Sequence, residues 1–188
     1  MLDILITAFK ETIIMVFFST IFSIIIGTIP GIALVVTAKG GIKENKIVFK
    51  ILDAVTNVLR SLPFIILMVA IVPLTKLIVG KSYGTTAAIV PLTLAAAPFV
   101  TRIIESSLKE VDKGVIEAAK SFGATDIQII FKVMIKEAIP SIVSGITLAI
   151  INIIGYSAMA GAIGGGGLGQ MAIAYGYQRY QVDIMIAT

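Results

Sequence analysis

From Thr12 to Ala38 the chain carries no aspartate, glutamate, lysine or arginine, and most of the residues there are Ile, Val, Phe or Leu. A helix needs roughly 20 apolar residues to cross a bilayer, and this run is long enough. Three more charge-free runs follow: Ser61–Thr75, Ser82–Thr101 and Ala138–Gln178. No soluble fold has a use for so many. The balance of 57% hydrophobic to 14% charged residues, with a mean hydropathy of +1.04, agrees, because soluble domains hold about 25% charged residues. The chain reads as an all-α integral membrane protein, with residues 1–188 forming one bundle.

Each run predicts one span. Gly27 and Pro30 in the first suggest a kink, which membrane helices tolerate. Ser61–Thr75 is short, so the second span borrows from "ILDAVTNVLR" upstream, with Arg60 snorkelling to the interface. Pro91 and Pro98 lie in the third. In the fourth, Ile142–Gly161 makes the span and "AIGGGGLGQ", 162–170, an irregular segment after it. The tail "VDIMIAT" reads as the first turns of a fifth span, cut off by the chain end. The prolines free backbone carbonyls and bend their helices, as pivots or as static features. "MLDILITAFKE" has no basic n-region and is no cleavable signal.

The charge distribution gives an orientation. Lys39, Lys43, Lys46, Lys50 and Arg60 lie between spans one and two. Arg102, Lys109, Lys113, Lys120, Lys132 and Lys136 lie between three and four. These are eleven of the 15 basic residues. The positive-inside bias places both connectors in the cytoplasm and the N-terminus outside. The net charge of +4 is explained in this way without a nucleic-acid partner.

Several chemistries are excluded. There is no Cys and no His, so disulfides, thiolate metal sites and Ser-His or Cys-His catalysis are ruled out. A Ser–Lys dyad remains open, although the lysines cluster in the connectors. No G-x-x-x-x-G-K-[ST] loop is present, so the chain has no nucleotide site of that kind. The run Gly164–Gly169 fits G-x-G-x-x-G formally, but it follows a membrane helix instead of a strand. It reads as a flexible turn or as part of an outer mouth. Spans one, three and four hold no charged residue, which disfavours an ion-coupled secondary transporter or channel. No cofactor or metal is expected.

The connector from Arg102 to Glu137 is longer than a tight turn requires. Asp112 can cap a helix starting at Lys113. Val115, Ala118, Ala119 and Phe122 recur at helical spacing, and Gly123 sits where a left-handed C-terminal residue belongs. Thr125 with Gln128 makes a capping box, and Ile127, Ile130, Phe131 and Met134 form a second stripe. The pattern predicts two short helices joined at Gly123 and Ala124. An amphipathic hairpin on the membrane surface and a docking element for a cytoplasmic partner both fit it. A DNA-binding helix-turn-helix does not suit a tether between spans.

These residues carry a resemblance. Glu117, Ala118, Ala119 and Gly123 match the E-A-A-x-x-x-G motif of the permease subunits of type I ABC importers. Val133 and Ile135 replace the later Ile and Leu conservatively, and Lys136 replaces the proline, with Pro140 one turn on. "RSLPFIILMVAIVPLTKLIVG", "AAIVPLTLAAAPFVTRIIESSL" and "GYSAMAGAIGGGGLGQ" resemble the methionine-importer permeases in particular. The resemblance implies a type I transmembrane domain, with four recognisable spans and the start of a fifth, in a bacterial cytoplasmic membrane. It implies a homodimer with two cytoplasmic ATPase subunits and an extracytoplasmic substrate-binding protein, surrounded by lipid. The region about 109–139 would couple to the ATPase through Val115, Glu117, Ala118, Ala119, Phe122, Gly123 and Ala124. The 162–170 segment would lie near the outer mouth, where the binding protein docks.

Span four offers two further features. Ser141, Gly145 and Ala149 are four apart, a spacing that lets helices approach closely in a bilayer. Tyr156, Ser157 and Met159 lie near its outer end, either as ordinary packing or, by resemblance, as path and gate residues. Asn152 is the strongly polar residue inside the span, and such a side chain more often bonds another helix than a substrate.

Overall fold

The computed structural model describes residues 2–188, and among them there is helix but no strand. Three helical runs are long and apolar enough to cross a membrane: Leu2–Thr37, Thr85–Lys109 and the run that begins at Asp126. A bent pair, Lys46–Ser61 with Phe64–Ala70, would make a fourth if it counts as one span.

Helix α1, Leu2–Thr37, turns a stripe of small residues inward and many large ones outward. Ser19, Ser23, Gly27 and Gly31 are buried, while Phe17, Ile25 and Ile29 are exposed. In lipid a large apolar side chain gains nothing by leaving the surface, so contact is decided by how closely backbones can approach. α1 packs this stripe against α5, Thr85–Lys109. A Cβ on Gly27 would stand 2.6 Å from the Ala97 carbonyl oxygen, and one on Gly31 would stand 2.7 Å from Ile104 Cβ. Thr101 of α5 donates its hydroxyl to the Gly27 carbonyl at 3.1 Å, a cross-helix bond at the closest approach. α5 is the central helix and buries residues along its whole length, Pro91 and Pro98 included.

The second run departs from the sequence expectation. α2, Lys46–Ser61, is capped by Asn45, whose side chain accepts from Ile47 and Val48 N–H at 3.1 Å each. It meets α3, Phe64–Ala70, at 103° and therefore does not extend a straight span. Pro63 drives the preceding residue out of the helical region; Leu62 is extended, with φ −75° and ψ 127°. α4, Val72–Val79, follows and ends at Gly80 with φ +80°. Arg60, at the end of α2, is exposed. Its guanidinium lies over the Phe99 ring of α5, 5.9 Å from the centroid.

α6, Lys113–Ser121, is the first of the two expected connector helices. The second is not a separate short helix. It opens as α7, Asp126–Gln128, passes through a π-helical turn at Ile129–Met134, and continues into α8, Ile135–Ala162. Nothing between Asp126 and Ala162 ends the helix, and Pro140 is accommodated inside it. α8 lies against α5 where Gly145 faces Ile103; a Cβ there would collide with Ile103 Cγ2. Beyond α8 come α9, Gly167–Met171, a second π-helical turn at Ala172–Tyr177, and α10, Val182–Ala187. The tail expected to open a fifth span is helical over Val182–Ala187.

Candidate functional site

α6 is built by local signals that the sequence displays. The Asp112 side chain accepts from Gly114 N–H at 2.6 Å. At the other end Gly123 has φ +79°. Gly123 N–H donates to the Lys120 carbonyl at 2.9 Å, and Ala124 N–H to the Ala119 carbonyl at 3.1 Å. This bond pair is a Schellman closure, in which a left-handed residue satisfies the last carbonyls of the helix. No atom outside its chain neighbours lies within 4 Å of a Cβ built on Gly123, so glycine is required by backbone conformation and not by space. The capping box opening α7 is also present, with Thr125 N–H to Gln128 Oε1 at 2.9 Å and Gln128 N–H to Thr125 Oγ1 at 3.4 Å.

The faces of α6 divide differently from the expectation. Ala119 and Ala124 turn inward together with Ile116, which the sequence pattern did not single out. They pack on a cluster formed by Val100, Ile104 and Leu108 of α5, Val111, and Ile129, Met134 and Ala138 of the Asp126–Ala162 run. Val115, Glu117, Ala118, Phe122 and Gly123 face outward, and Phe122 is 92% exposed. The second stripe shifts as well. Ile127 and Phe131 are exposed, while Ile129 and Met134 are buried, five residues apart. A π-helical turn adds a residue to the period, which moves the buried face off a three-and-four spacing.

α6 is joined at both ends to elements of the core, through Glu110–Asp112 to α5 and through Phe122–Thr125 to the α7–α8 run. Ser141 of α8 donates its hydroxyl to the Glu110 carboxylate at 2.7 Å. Just above, Arg102 bridges Asp53 of α2 and Glu105 of its own helix, and donates to Asn57 at 2.8 Å. Lys109 bonds the other Glu105 oxygen at 2.6 Å. Glu105 is only 5% exposed, and two cations satisfy it. Packing and polar contacts thus join the base of α6 to α5, α8 and α2.

At the far end of the bundle, the glycine segment is anchored and is not a free turn. Gly84 N–H donates to the Gly164 carbonyl at 2.8 Å. From α1, Glu11 accepts from Gly167 N–H at 2.7 Å and Thr12 accepts from Leu168 N–H at 2.9 Å. Gly164, Gly166 and Gly167 have φ of +87°, +85° and +75°, so this path needs residues free of Cβ strain.

The three residues near the end of α8 do not converge. Tyr156 stacks on Phe64 of α3, with centroids 4.8 Å apart and planes 11° apart. Ser157 is buried and donates to the Ile154 carbonyl of its own helix at 2.7 Å. Met159 is exposed. Asn152, one turn before Tyr156, is exposed too and makes no hydrogen bond to another helix among the described residues. No metal-binding cluster of acidic residues occurs among the described residues. What the architecture offers is a helical bundle on which α6 keeps one face packed and the other exposed.

Known proteins resemble this chain over nearly its whole length. Residues 31–188 match the family model described as the binding-protein-dependent transport system inner membrane component. The chain is 51% identical over 186 residues to the probable D-methionine transport system permease protein MetI of Vibrio cholerae, covering 99% of this chain and 83% of that one. It is 49% identical over 151 residues to the methionine import system permease protein MetP of Bacillus subtilis, covering 80% and 68%. A chain of the MetNI methionine ABC transporter, solved in inward-facing conformations, superposes with a TM-score of 0.97 at 45% identity, covering all of this chain and 87% of that one. The chain belongs to the family of binding-protein-dependent transport system inner membrane components.

Proposed function

We propose that this chain is the permease subunit of an ATP-driven methionine importer in a bacterial cytoplasmic membrane. Two copies enclose the path, two ATPase subunits bind on the cytoplasmic side, and an extracytoplasmic binding protein delivers the substrate. Residues 1–188 act as one transmembrane unit, with the N-terminus outside and α1, α3–α4, α5 and α8 spanning. α6 is the coupling helix. Val115, Glu117, Ala118, Phe122 and Gly123 meet the ATPase, while Ala119 and Ala124 seat the helix on the bundle. The Gly164–Gly169 segment faces the binding protein, and Tyr156, Ser157 and Met159 border the path.

The observation that carries this reading is α6 itself. It presents Val115, Glu117, Ala118 and the aromatic tip Phe122 to the outside on a base shared by α5 and α8. The similarity to D-methionine and methionine permeases over nearly the whole chain supports the substrate. Orientation is supported by the eleven basic residues in the two connectors on the α6 side. The test is reconstitution of the permease with its ATPase and binding protein in liposomes. Labelled methionine should accumulate with ATP and not without it. Absence of ATP-dependent accumulation under conditions where the ATPase turns over would refute the assignment.

A further inference from the structure

α2, Lys46–Ser61, has three sides. It packs on α1 and α5 with one of them, where Thr56 is buried and Phe49, Leu52 and Asp53 are half-buried. Ile47, Ile51, Val55 and Val58 recur every three or four residues and so share a second side; each is more than half exposed. Val48 and Leu59 border that side and are exposed as well. Lys46, Lys50 and Asn57 form the third side, which is exposed too. We propose that α2 is an in-plane anchor, whose apolar side sinks into the cytoplasmic leaflet and whose lysines hold anionic phospholipid headgroups there. The inference uses the orientation given above and is independent of the substrate.

The position of α2 suits a headgroup layer. Its start is tied to the end of α1, where Asn45 N–H donates to the Thr37 carbonyl at 3.0 Å. Its last turns are held beside the charged end of α5. There Arg102 bonds Asp53 and Asn57, and Arg60 lies over Phe99. The 16 residues of α2, about 24 Å in length, thus run from the charged end of one span to the charged end of another. The chain turns by 103° into α3 only after them. A helix with an apolar face and a lysine-bearing face lies in the membrane interface, its apolar side about 5–10 Å deep.

Charge selects the headgroups. Lys39, Lys43, Lys46 and Lys50 follow directly on α1. Lys43 is paired with Asp126, whereas Lys39, Lys46 and Lys50 are in none of the ion pairs among the described residues. The acid of α2, Asp53, is already held by Arg102. A lysine cluster just cytoplasmic of a span attracts anionic lipid, and lysine stems lie along apolar surface while the ammonium reaches the polar layer. A second protein helix suits this side of α2 less well. Close helix packing in a bilayer uses small residues, as α1 does with Ser19, Ser23, Gly27 and Gly31, but here the side chains are branched Ile, Val and Leu.

The test places a fluorophore on Val55→Cys, the native chain having no cysteine, in the transporter assembled with cysteine-free ATPase subunits. Vesicles contain brominated phosphatidylglycerol or brominated phosphatidylcholine as quencher, and iodide probes from the water. Both lipids should quench and iodide should not. Phosphatidylglycerol should be preferred to phosphatidylcholine, and Lys46→Gln and Lys50→Gln should each lower that preference about fivefold. Quenching by iodide instead of lipid would place α2 in water. Silence to all three quenchers would place it under protein, a second copy included. Either result overturns the anchor. Equal quenching by the two lipids, unchanged in the lysine variants, would overturn the recognition of anionic headgroups. Labelling of Phe122→Cys from the outside would instead overturn the orientation on which the choice of leaflet rests.

Discussion

Replacing Gly123 by valine tests the coupling geometry with little disturbance elsewhere. The residue sits at φ +79° with open space around a built Cβ, so the substitution meets no clash, only the backbone cost of a left-handed residue carrying Cβ. That cost is about 1–2 kcal/mol. The turn can relieve it by breaking the two Schellman bonds to Lys120 and Ala119. Doing so would reduce the population of correctly presented α6 about five- to thirtyfold. Ile116 and Ala119 would remain seated, and α5 and α8 lie outside the change, so insertion and assembly of the bundle should be preserved. The assay is ATP hydrolysis by the reconstituted transporter, stimulated by liganded binding protein. Gly123→Val should lose most of the stimulation, and Gly123→Asn should keep much of it, because asparagine tolerates the left-handed region. Wild-type stimulation in Gly123→Val would show that the closure of α6 is irrelevant to coupling.

Three further outcomes are expected. Phe122→Ala should leave thermal unfolding of the detergent-solubilised permease unchanged, because the side chain is 92% exposed, yet weaken ATPase association about tenfold or more, measured by titration. Gly27→Leu forces a side chain against the Ala97 carbonyl and should cost about 1–3 kcal/mol, seen as a lower melting temperature of the same preparation. Gly167→Ala adds strain at φ +75° and brings a Cβ to 2.6 Å from Thr12 Oγ1. Hydrogen exchange at residues 164–170 should then accelerate about tenfold.

What the sequence made legible was local. Asp112, Gly123 and the Thr125–Gln128 pair are short-range devices, and each acts where its spacing placed it. The span at α5 was legible from its charge-free run. The close-packed stripe of α1 was not read, although Ser19, Ser23, Gly27 and Gly31 carry the same four-residue signal as Ser141, Gly145 and Ala149; the surrounding Ile and Phe conceal it. The α2–α3 bend hides behind an apolar run that continues through Leu62–Pro63. Its signal is the proline, and the angle is set by packing on α5. The buried face after Asp126 was illegible because the π-helical turn changes the period. The position of Arg60 over Phe99 is a tertiary fact that follows from that bend. Membership in the EAA-motif family was legible from Glu117, Ala118, Ala119 and Gly123, even with Lys136 in place of the motif's proline.

The native chain has no cysteine, so a single cysteine in place of Phe122 reports on α6 alone. The decisive measurement is labelling of Phe122→Cys by a membrane-impermeant thiol reagent in right-side-out and inside-out vesicles, with and without the ATPase subunit. Labelling confined to inside-out vesicles, and suppressed when the ATPase is bound, is the predicted result. Labelling from the outside, or labelling indifferent to the ATPase, would contradict the assignment of α6 as the helix through which the motor moves this bundle.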